Sequence, residues 1–70
     1  MTYTEARIRE LTARVAAAQV RESGMLVANS ERARHDYAAA YGEEAFEELA
    51  KYIDSLAEQI RALAERGDLK

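Results

Sequence analysis

An all-α fold, a small bundle of two to three helices, is what this 70-residue sequence predicts. Three observations carry the prediction. Apolar residues recur at spacings of three and four, proline is absent, and alanine, the best helix former, occurs 15 times. The length allows one small domain, residues 1–70, of a size that buries only about 60% of its unfolded surface. Val, Ile, Leu and Phe together number only 13, a composition that borders on disorder. The low net charge of −3 and the periodicity of those residues argue for a folded chain instead.

The first element is expected over residues 4–22. Thr2-Tyr3-Thr4-Glu5 has the form of a capping box, in which a threonine hydroxyl accepts from an amide three residues on. Ile8, Leu11, Val15 and Ala18 then mark one helical face. Ser23-Gly24 offers a stop and a fresh cap, so a second helix is expected over 25–41. The alternative is a connector from Gly24 to Asn29 with Asn29 or Ser30 capping a shorter helix. A break is expected at Gly42. The third element, 43–66, is the clearest: Phe46, Leu49, Ile53, Leu56, Ile60 and Leu63 repeat at 3, 4, 3, 4 and 3, a coiled-coil stripe. Glutamates open it and Arg61 and Arg66 lie near its end, as the helix dipole favours. Gly67 has the character of a helix stop, with a frayed tail to Lys70.

The stripe on the third element is longer than the first can cover, because position 22 is glutamate where the next apolar residue is due. Each large apolar side chain left open forgoes roughly 1.5–3 kcal/mol, so a homodimer or higher oligomer is expected to complete the bundle. Its seam would be Ile8, Leu11, Val15, Phe46, Leu49, Ile53, Leu56, Ile60 and Leu63.

Catalysis is not expected. There is no cysteine, the one histidine is His35, and its neighbour Asp36 points about 100° away on a helix. No cofactor or metal is called for, since no histidine–carboxylate set has ligand spacing. No apolar run reaches membrane-spanning length, and the absence of cysteine fits a cytoplasmic setting.

Binding is therefore the expected function. Glu43, Glu44, Glu47 and Glu48 around Phe46 form a candidate acidic patch for a protein partner. Arg32, Arg34, His35 and Tyr37 form the alternative, an arginine-mediated site for nucleic acid or a nucleotide. Residues 1–42 carry a net charge of +1 and residues 43–70 a net charge of −4, so the two candidates lie on oppositely charged segments. In size and layout the chain is similar to small helical regulators of plasmids and phages that dimerise into bundles. No motif carries that likeness and no residue role is taken from it. The expected function is a non-enzymatic interaction module, a small regulator or inhibitor of the phage or mobile-element accessory type.

Overall fold

The computed structural model describes residues 2–66, which form a helical hairpin measuring 55 × 19 × 11 Å. Helix α1 spans Tyr3–Arg34, residues 35–42 reverse the chain, and α2 spans Glu43–Glu65. Thr2 caps α1: its hydroxyl accepts from the Glu5 amide at 3.1 Å, the contact that the capping-box spacing predicts.

Two expectations are corrected here. Ser23-Gly24 does not break the helix, and residues 35–41 are not helical. Glycine in a helix costs about 1 kcal/mol relative to alanine, but burying Met25 just beyond it offsets that cost. The inner face of α1 also keeps its period past Glu22, through Met25 to Asn29. The turn comes instead where the seam runs out of large apolar residues, since Arg32, Asp36 and Ala39 occupy the next positions of the repeat.

That turn is a Schellman cap. Asp36 adopts a left-handed conformation, with φ of 58°. The Tyr37 amide donates to the Arg32 carbonyl at 2.9 Å, and the Asp36 amide to the Ala33 carbonyl at 3.1 Å. An apolar contact usually bridges the two outer positions of this motif. Here the Arg32 guanidinium lies over the Tyr37 ring instead, 5.5 Å from its centre.

The core is thin. Leu11, Ala18 and Met25, one heptad apart on α1, are buried together with Leu49 and Leu56 on α2. Ala45, Phe46 and Ile53 pack partly against Ala18, Met25 and Leu49. Gly67 and the tail to Lys70 lie outside the described residues.

Candidate interaction surface

The seam of each helix consists of two rows, and only one row is covered. The residues three positions before the buried ones, with Ile60 three before the half-buried Leu63, form the second row: Ile8, Val15, Glu22 on α1 and Phe46, Ile53, Ile60 on α2. All six are half-buried. Two antiparallel helices turn in opposite senses when viewed from one end, so their second rows fall on the same side of the hairpin. Beyond them lie Ala50, Ala57 and Ala64 on α2, and Thr12, Gln19 and Leu26 on α1, all exposed, Leu26 by 56%. One long side of the hairpin is thus apolar along α2 and mixed along α1, where Ile8, Val15 and Leu26 alternate with Thr12, Gln19 and Glu22.

The opposite side is polar. Arg7, Arg14 and Arg21 succeed one another at heptad spacing, facing Tyr52 and Gln59 of α2. Arg7 and Arg14 both pair with Glu10, and the Arg7 hydrogen bond, followed by its charge, holds the Glu10 carboxyl below its ordinary range. Tyr52 across the hairpin, and then Glu10, raise the Arg14 guanidinium further above its ordinary value. A shallow cavity of about 360 Å³ lies on this side, floored by Met25 and Leu49 and walled by Arg21, Glu48 and two tyrosines.

The loop end is fastened by side chains. Asn29 grips the backbone of Tyr41 twice: its Nδ2 donates to the Tyr41 carbonyl at 2.8 Å, and its Oδ1 accepts from the Tyr41 amide at 2.9 Å. Arg32 Nε donates to the Ala38 carbonyl at 2.5 Å. The period of α1 places Asn29 one heptad after Glu22, and that spacing is the signal that marks it as inward-facing.

The sequence-predicted residues distribute as follows. Of the nine seam residues, Leu11, Leu49 and Leu56 are buried, and Ile8, Val15, Phe46, Ile53, Ile60 and Leu63 are half-buried. Glu43, Glu44, Glu47 and Glu48 are all exposed at the start of α2, but they wrap around its outer arc. Glu43 and Glu47 border the apolar side, whereas Glu48 lines the cavity on the polar side. Arg32, His35 and Tyr37 are brought together, with the His35 and Tyr37 rings 5.8 Å apart. Their contacts serve the reversal of the chain, and Arg34 pairs with Glu31 at 3.2 Å.

Among the described residues no group of three histidine, cysteine or acidic side chains converges as a metal site would require. No described helix is long and apolar enough to cross a membrane. Comparison with family models, curated proteins and solved structures returned no significant match.

Proposed function

We propose that this chain is a non-enzymatic interaction module, a small regulator or inhibitor that acts by laying a helix face against another macromolecule. The observation that carries the reading is the half-covered stripe of α2. Only Leu49 and Leu56 of its six large apolar residues are buried by the chain's own first helix. Open apolar faces rimmed by charge mark docking surfaces in otherwise soluble proteins. Glu43 and Glu47 supply such a rim at one end of the face.

The test is site-specific photo-crosslinking in the native host. A photoreactive residue at position 53, on the open face, is expected to form adducts that Ile60→Asp abolishes. The same group at position 14, on the polar side, should form few. Adducts from position 14 alone, or none from either, would overturn the reading.

Arginine-mediated anion binding has less support. Arg32 is engaged with Ala38 and Tyr37, and Arg34 with Glu31, before any ligand arrives. Under that alternative, Arg32→Glu with Arg34→Glu removes salt-dependent retention on a nucleic-acid column.

A further inference from the structure

The geometry points to a second copy of this chain as the occupant of the apolar face, packed head to foot into a four-helix bundle. This rests on the docking reading above and commits it to one partner.

Size supports an occupant of about this kind. A compact monomer of 7.8 kDa would expose about 4,400 Å² by the usual surface scaling, whereas the hairpin exposes 5404 Å². The excess of about 1,000 Å² is comparable to the roughly 800 Å² that each partner contributes to a standard interface. The radius of gyration tells the same story, at 16.4 Å against about 11 Å for a compact domain of this length.

Charge on the apolar face then selects the orientation. Glu22 sits in the half-buried row of α1, and none of the ion pairs among the described residues includes it. Covering the face would bury that carboxylate unpaired unless the partner brings a cation to it. In a two-fold assembly with the loop ends at opposite poles, each helix lies antiparallel to its own copy. Glu22 then comes level with Ile8 and Arg9 of the second copy, with Arg9 reaching in from the outer edge of the face, and Glu47 comes level with its Arg61. Both couplings require the two-fold axis at one level, near Val15 on α1 and Asp54 on α2. Those two residues do lie abreast, each about 20 Å along its helix from the Asn29–Tyr41 bonds at 1.5 Å per residue. With the loop ends at the same pole, Glu22 would instead approach Glu47 of the second copy, and Arg9 would approach Arg61. Like charges would meet at both places, so that orientation is disfavoured.

The phenylalanine and isoleucines fit the same axis. Ile53 packs on its own copy near the axis, and Phe46 of one chain meets Ile60 of the other. Ala50 and Ala57 lie alongside and let the helices approach closely.

Sedimentation equilibrium of the full chain provides the test, with charge reversals as the probe. The wild type is expected to sediment at twice 7.8 kDa at micromolar concentration. Glu22→Arg and Arg9→Glu should each weaken the dimer by tenfold or more, and the double variant should return to within about threefold of wild type. Within one chain those residues lie on one helix about 20 Å apart, too far to interact directly, so rescue can arise only between copies. A dimer without rescue would overturn the head-to-foot arrangement. A wild type that stays monomeric would overturn the second-copy inference, and its binding of a hydrophobic dye then decides the broader reading. Dye binding to the monomer would leave the docking face in need of another occupant, whereas no dye binding would remove both.

Discussion

The two rows of the seam have nearly the same chemistry and different fates. Leu11, Met25, Leu49 and Leu56 are sealed between the helices, while Ile8, Val15, Phe46, Ile53 and Ile60 on the next row stay half-open. About 60° of helix rotation separates the rows. Two helices share only one line of contact, so a hairpin can bury one row fully and leaves the next half-open. The covered row makes the hairpin, and the open row is the surface that the proposed docking would use.

Cutting into the covered row is expected to have the largest effect. Leu11 is 1% exposed, and Leu11→Ala should cost about 3 kcal/mol, measured by urea unfolding, with a midpoint that falls at every protein concentration. The equivalent cut in the open row separates the two roles. Ile53→Ala should cost about 1.5 kcal/mol or less in dilute protein, with a larger loss as concentration rises. Ile53→Asp should disperse any assembly while circular dichroism still reports helix. An Ile53→Ala penalty that does not vary with concentration would erase the distinction between the rows.

Smaller effects test what holds the rows in register. Asn29→Ala removes both hydrogen bonds to Tyr41 and should cost about 1 kcal/mol, with faster hydrogen exchange at the Tyr41 amide. Gly24→Ala should stabilise the chain by about 0.7 kcal/mol, because the helix is regular there and a β-carbon meets open space. Destabilisation instead would show that the outer side of α1 is covered too. The smallest effect is at Glu10, whose folded pKa is depressed below the usual 4.5 by Arg7 and then Arg14. Its contribution is complete above that value and disappears as pH falls through the lower folded value. Glu10→Gln should therefore flatten the acid limb of stability slightly, which thermal melts across that range would register.

How much of this was legible in the sequence follows from the strength of the local pattern. The stripe from Phe46 to Leu63 fixed α2 to within a residue at its end, because large apolar residues fall on one side alone. Thr2 was legible as a cap for the same local reason. The continuity of α1 was not, since Glu22 interrupts the stripe and Ser23-Gly24 imitates a stop. Only the burial of Met25 against α2, a contact between distant parts of the chain, decides the matter. The reversal at Asp36 was hidden as well, because an aspartate occupies the left-handed position where glycine would have signalled it. Arg32, His35 and Tyr37 stood out as a cluster, but their shared task in closing the turn depends on backbone geometry that composition does not encode.

The paired bonds from Asn29 to Tyr41 lie at the hinge of the hairpin, only 12 residues apart in sequence. A clasp that local can form early, before the arms have met. Closing it leaves the arms to zip shut from the turn toward the termini, each layer short of loop-closure cost. That order of events would make the molecule quick to reach its hairpin, with the proposed pairing of open faces following as a separate, concentration-dependent step.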